Sequence, residues 1–256
     1  MLEISTRGTA RILRINRPEK RNALSFAMME EVAVAIGQAD RDSAVRSTVI
    51  TGGAAMFSSG GDLQEALNLR APSDVRRALD AWQRMNGAIE GAGKPVIAAI
   101  EGPCLTGGCE LALACDVRIA GEGATFGITS SKIGTVPGAG GTQRLPRTVG
   151  LANALYLMLS ANPIDAREAW RIGLVNEVVT SGEALSSALA LAETFSQRAP
   201  MSLAFIKRAA RDGMQADLST GLELEHALVA LAYSTDDRRE GVAAFLEKRK
   251  PVFRGQ

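Results

Sequence analysis

Histidine is almost missing from this chain: His226 is the only one in 256 residues. Cysteine is scarce too. Cys104, Cys109 and Cys115 are an odd number crowded into one stretch. They make no disulfide framework, and their spacing matches no zinc knuckle. No metal site is therefore expected, and reduced thiols point to a cytoplasmic protein. An excess of one charge is also lacking. Lys and Arg number 29 against 28 Asp and Glu, a net +1. That balance points away from a nucleic-acid or membrane partner. No apolar run nears the roughly 18 residues a membrane span needs, and no charged-then-apolar leader follows Met1. Aromatic residues make up only 4%, so the core must be built from Ala, Val, Ile and Leu. At 46% hydrophobic, the chain has enough of them.

What is present reads as α/β. LEIST after Met1 and RILRIN (Arg11 to Asn16) are strand-like, the latter by its alternation. Ser25 is placed to N-cap a helix carrying Phe26, Met29, Val32, Ala33 and Ile36 on one face. STVIT (Ser47 to Thr51), PVIAAI (Pro95 to Ile100) and VRIAG (Val117 to Gly121) read as further strands. A short helix is expected from about Gly107 to Cys115. The second half is mostly helical. Asp165 with Glu168 reads as a capping box, and LVNEVV (Leu174 to Val179) is the last clear strand. Helices follow from about Gly182, from Pro200 and from about Asp217 to the end. His226 falls on the last of these and is read as structural. Cys109 is read as core, and Asp116 as ordering a turn. No role is assigned to Lys132.

Three glycine-rich stretches stand out: MFSSGGDL (Met56 to Leu63), EGPCLTGGCELALACD (Glu101 to Asp116) and GTVPGAGGTQRL (Gly134 to Leu145). In the second, Gly107 and Gly108 begin the predicted helix. The first-turn N–H groups of a helix lack internal partners and carry the positive end of its dipole. Two glycines leave them open, which makes an anion site. Glu110 lies in the same turn, where the dipole favours the ionised carboxylate, so it can serve as a base beside a developing oxyanion. In the first stretch an N–H of the Ser58–Gly61 turn is positioned to face the one at Gly107, and Asp62 to cap the following helix. The third stretch fits neither G-x-G-x-x-G nor a P-loop, so a mononucleotide fold is rejected.

Together, and with NRPEKRNAL (Asn16 to Leu24), LVNEVV and STDDRREGVAAFLEKRK (Ser234 to Lys250), these stretches resemble the enoyl-CoA hydratase/isomerase family, the crotonase superfamily. The resemblance implies a spiral of ββα units over residues 1–195 holding an acyl-CoA site. It also implies a helical region, 196–256, that packs on the core and on neighbouring subunits, giving a homotrimer or a dimer of trimers. It implies an acyl-CoA thioester substrate and no cofactor beyond the coenzyme A of that substrate. By position, Ser59 and Gly107 match the two oxyanion-hole amides, and Glu110 the first catalytic glutamate. Gly60, Gly61 and Asp62 match residues along the coenzyme A path. Lys20 and Arg21 lie in the segment that contacts its nucleotide portion, and Lys248 matches a lysine that reaches a coenzyme A phosphate.

One departure matters. The second catalytic glutamate of the hydratases falls on Ser130, and a hydroxyl cannot replace a carboxylate as acid or base near neutral pH. Three outcomes stay open: a hydratase in which Glu110 works alone and Ser130 or Ser131 holds the water, a double-bond isomerase using a single base, or another enolate reaction such as decarboxylation or thioester hydrolysis. A coenzyme A-binding protein without turnover is the alternative of a different class. The intact GGCELALACD context favours the hydratase.

Overall fold

A computed structural model describes the whole chain, residues 1–256. It opens with an antiparallel hairpin, β1 (Leu2–Arg7) and β2 (Ala10–Ile15). Ser25 caps α1 (Phe26–Arg41) by accepting from the Met28 amide, and the helix buries Met29, Val32, Ala35, Ile36 and Ala39, a stripe at helical spacing. After β3 (Ser47–Thr51) comes a stretch whose side-chain directions the sequence leaves unread. It folds as a short α2 (Leu63–Leu67), capped by Asp62, and the 20-residue α3 (Pro72–Gly91). Then follow β4 (Val96–Ile100), β5 (Pro103–Leu105), α4 (Gly107–Ala114), β6 (Val117–Gly121) and β7 (Thr125–Gly127). The chain continues through α5 (Gly141–Val149), α6 (Leu151–Ser160), β8 (Ile164–Asp165), α7 (Ala166–Arg171) and β9 (Glu177–Val179). It closes with α8 (Ala184–Ser196), α9 (Pro200–Gly213), α10 (Leu218–Tyr233) and α11 (Asp236–Leu246).

Six strands form the main sheet in the order β1-β2-β3-β4-β6-β9, parallel after the first hairpin, and β5-β7-β8 form a second, smaller one. β3 and β4 are buried along their whole length, as parallel strands covered on both faces are. Leu13, Ile50, Ala98 and Ile100 point into the large core with α1, α3 and α4. Val49, Ile97, Ala99 and Ile119 point the other way, onto Ala184, Ala188 and Ala192 of α8. Alanine at every fourth position lets that helix lie close on the sheet.

Two expectations are corrected. The single helix expected from Asp217 to the end is two, because Thr235 starts α11 by accepting the Arg238 amide. LVNEVV is a strand only from Glu177, since Leu174 and Val175 are buried ahead of it in a turn. Asp116 orders more than a turn: its carboxylate accepts from Val96 N and pairs with Lys207 and Arg211, both at 2.9 Å, fastening α9 to the sheet. Otherwise the last three helices bury little. α9 buries no residue and α10 only Leu228, so Ile206, Val229, Leu231, Phe245 and Leu246 are exposed. No helix is long and apolar enough to cross a membrane.

Candidate active site

The three glycine-rich stretches converge. The first runs beside β5: Ser58 N donates to Pro103 O, and Leu105 N donates to Ser58 O at 2.9 Å. The third closes over α4: the amides of Ala139 and Gly141 donate to Glu110 Oε1 at 2.9 and 2.7 Å.

The amides of Gly61 and Gly107 have no acceptor in the chain. Gly107 is the first residue of α4, so its N–H has no partner within the helix. Gly61 forms an isolated parallel bridge with Leu24. There Leu24 N donates to Gly60 O and Asp62 N to Leu24 O. Successive amides of an extended chain point to opposite sides, so the Gly61 N–H points away from Leu24. Gly107 lies close to this turn: a Cβ built on Gly60 would stand 3.0 Å from Gly107 N. A Cβ on Gly107 would overlap the indole of Trp82, and one on Gly61 would lie 3.3 Å from Cζ2 of the same ring. The two free donors thus share one aromatic neighbour on α3.

The expectation for Ser59 is corrected here. Its N–H donates to Arg21 O at 3.1 Å, so it is not open to a ligand. The free donor of this turn is Gly61, two residues later. Sequence spacing cannot separate the two, because the choice depends on which side of Leu24 each amide faces.

Thr106, just before Gly107, holds φ 46° and ψ −115°, an uncommon conformation for a residue with a side chain. Three bonds fix it: Thr106 N to Gly127 O at 2.7 Å, the Thr106 and Thr129 hydroxyls to each other at 2.8 Å, and Thr129 N to Thr106 Oγ1 at 3.2 Å. This tether carries Ser130, next in the chain, alongside the start of α4. Ser130 is only 2% exposed, and its hydroxyl makes no hydrogen bond within the chain.

Glu110 is also 2% exposed. The ionised form expected from the helix dipole is not what burial favours. Desolvation pushes its pKa up, partly offset by the two amides on Oε1 and the positive charge of Arg144. Oε2 has no protein partner and is not sealed away. It is the oxygen free to move a proton. A base must be ionised to accept one, so a reaction relying on Glu110 loses rate as pH falls through this raised value. The acid limb of a pH–rate profile should therefore lie above the ordinary glutamate range, and a limb at or below that range would count against Glu110 as the base. The ionised carboxylate also costs folding stability: the penalty is absent at low pH and appears as pH rises through the raised value.

The basic candidates separate. Lys20 Nζ bonds to Gln64 on α2, and Arg21, at φ 54°, gives its carbonyl to Ser59. Both therefore lie beside the Gly60–Asp62 turn. The Asp62 side chain is engaged by Arg17 at 3.1 Å and by the α2 cap. Burial opposes its charge, but these partners outweigh that and hold its pKa down. Lys248 lies exposed just beyond α11 and makes no side-chain bond to this group. His226 and Lys132 are exposed, while Cys109 is buried. No group of three His, Cys, Asp or Glu side chains suited to a metal is present. Sequence reasoning missed Trp82, and Arg144 as well although it lies within the third glycine-rich stretch.

Structural comparison places this architecture in the crotonase fold. An enoyl-CoA hydratase from Bacillus anthracis superposes with a TM-score of 0.95 at 36% identity, covering 100% of this chain and 99% of that one. The sequence profile of the enoyl-CoA hydratase/isomerase family matches residues 6–256, and the chain belongs to that family. A 2,3-dehydroadipyl-CoA hydratase of Escherichia coli is 40% identical over 100% of this chain and 99% of its own length. A crotonyl-CoA hydratase of Syntrophomonas wolfei is 42% identical over 94% of this chain and 93% of its own.

Proposed function

We propose that the chain is an enoyl-CoA hydratase, adding water reversibly and syn across the double bond of a 2-enoyl-CoA. The observation that carries this is the pair of unengaged amides, Gly61 and Gly107, beside a buried carboxylate with one free oxygen. The thioester carbonyl oxygen binds between the two N–H groups. As water attacks the β-carbon, charge moves onto that oxygen, where fixed donors stabilise it; one such donor is typically worth about 3–4 kcal/mol of barrier. Glu110 Oε2 takes the proton from the attacking water and returns a proton to the α-carbon. The Ser130 hydroxyl, free of other partners, donates or accepts a hydrogen bond to hold that water but transfers no proton itself. The relatives named above are hydratases, which favours hydration over isomerisation.

In this reading Lys20, Arg21, Gly60 and the backbone around Asp62 line the path of the coenzyme A moiety. Lys248 serves it across a subunit boundary. Residues 196–256 pack on neighbouring subunits, which fits the apolar surface that α9–α11 leave open, and the assembly is a homotrimer or a pair of them. The coenzyme A comes with the substrate, and no further cofactor is needed.

The test is loss of the conjugated absorbance of crotonyl-CoA and of longer 2-enoyl-CoAs, run beside 3-enoyl-CoAs. Hydration of the first set is expected. Binding without turnover, or double-bond migration alone, would overturn the assignment. Ser130→Ala should slow hydration about tenfold or less, since it removes an orienting bond and no proton carrier.

A further inference from the structure

The GAGG segment is the one sequence motif that the binding of a thioester does not explain. Its glycines are used by the protein itself. A Cβ on Gly141 would stand 2.9 Å from Glu110 Oε1. Gly140 holds φ 101°, and a Cβ there would overlap Nη1 of Arg144. With no side chain in the way, Arg144 Nη1 reaches back to Ala139 O at 2.9 Å. Ala139 is also the residue whose N–H holds Glu110 Oε1, and Asn86, fully buried on α3, donates to the same carbonyl at 2.9 Å. The other edge of the guanidinium makes a two-point bond to Glu90 of α3, at 2.7 and 2.6 Å. Paired bonds of this kind fix the fork in one plane.

We propose that Arg144, gripped by Glu90, is a positioning residue for Glu110. It fixes the loop that orients Oε1, and its charge acts on the carboxylate. The guanidinium does not touch the carboxylate but works through Ala139. The remaining charged groups around α4 are further off or engaged elsewhere. Arg211 of α9 bonds to Ala114 O at the far end of α4 and to Asp116 and Glu90. Arg118 of β6 is turned onto the carbonyls of Ala112, Cys115 and Leu174. Of all these, Arg144 is the cation that favours the ionised Glu110. Glu90 sits behind it and partly neutralises it.

That arrangement predicts opposite effects from the two partners. Removing the cation (Arg144→Gln) should raise the proton affinity of Glu110 about tenfold. Removing the anion behind it (Glu90→Gln), which leaves Arg144 an amide oxygen to bond, should lower that affinity. Arg144→Lys should keep the wild-type proton affinity but lose the fork, and with it about tenfold in kcat at little change in KM. The inference rests on the hydratase reading only for its rate measurements. Glu110 ionisation is also read without turnover, as the infrared carboxyl signal that disappears in Glu110→Gln, followed against pH. Opposite displacements of this signal in Arg144→Gln and Glu90→Gln support the proposal even if no hydration is found. No displacement in either, or displacement of both in one direction, overturns it. Should Arg144→Gln not fold, the Glu90→Gln titration decides alone: a downward displacement supports the proposal, and none ends it.

Discussion

Glu110→Gln is expected to lower hydration of crotonyl-CoA by about 10³-fold or more while leaving acyl-CoA affinity within a few-fold. One positioned acid–base group contributes about 10²–10⁴-fold, and here the same carboxylate serves in both proton transfers because Ser130 supplies none. The substitution is mild in every other respect. The glutamine carbonyl can still accept from Ala139 and Gly141, so the loop over α4 keeps its anchor. The two thioester donors are backbone amides and stay in place. Glutamine is neutral, so the desolvation that raises the Glu110 pKa no longer opposes folding, and the thermal midpoint at neutral pH should not drop. Rate by absorbance, affinity by calorimetry and the melting curve together make the check. A variant retaining more than a tenth of the rate would show that another group moves the protons.

Gly108→Ala should cost about 10²–10³-fold in kcat by a different route, the range seen when one oxyanion donor is lost. A Cβ at this position would stand 2.7 Å from both Cβ and the carbonyl oxygen of Ser58. That carbonyl accepts the Leu105 amide and so joins the first glycine-rich turn to β5. Relief of the overlap has to come from backbone, because Ser58 is fully buried and its hydroxyl is bonded to Asn22 O. The turn bearing Gly61 must therefore back away from the one bearing Gly107, and one donor then misses the oxygen. Glu110 and its clamp lie on the other side of α4, so infrared titration of the carboxyl should be unchanged. The same lesion should weaken binding of an enolate-like thioester analogue far more than that of free coenzyme A. Equal loss for both ligands would show general disorder in place of a misplaced donor.

Much of this site can be read in the sequence, for an identifiable reason. Gly107, Glu110 and the Ser25, Asp62 and Asp165 caps are local features: each follows from residues within one turn of itself. PVIAAI is legible because both faces are covered, which leaves an uninterrupted apolar run, and STVIT because of its β-branched residues. What is hidden is whatever depends on a second segment. Whether Ser59 or Gly61 offers its amide is decided by Leu24 and Arg21, some forty residues upstream. The pKa of Glu110 is pushed up by burial, against the loop amides of Ala139 and Gly141 and the charge of Arg144, which favour the ionised form. Arg144 lies inside the third motif, yet its partner Glu90 lies 54 residues away. The direction of Trp82 is likewise fixed only when α3 is laid across the two turns.

The tether from Thr106 to Thr129 joins the turn bearing one donor to the stretch bearing Ser130, and Leu105 joins it to the turn bearing the other. The reacting atoms are therefore gripped by a single framework built on β5, β7 and the start of α4. The helix opposite, α3, meets these turns largely through side chains: Trp82 against Gly61 and Gly107, and Leu79 against Gly138. The same helix also reaches the loop that clamps Glu110, through Asn86 on Ala139 O and Glu90 on Arg144, so a shift of α3 would disturb both donors and the carboxylate together.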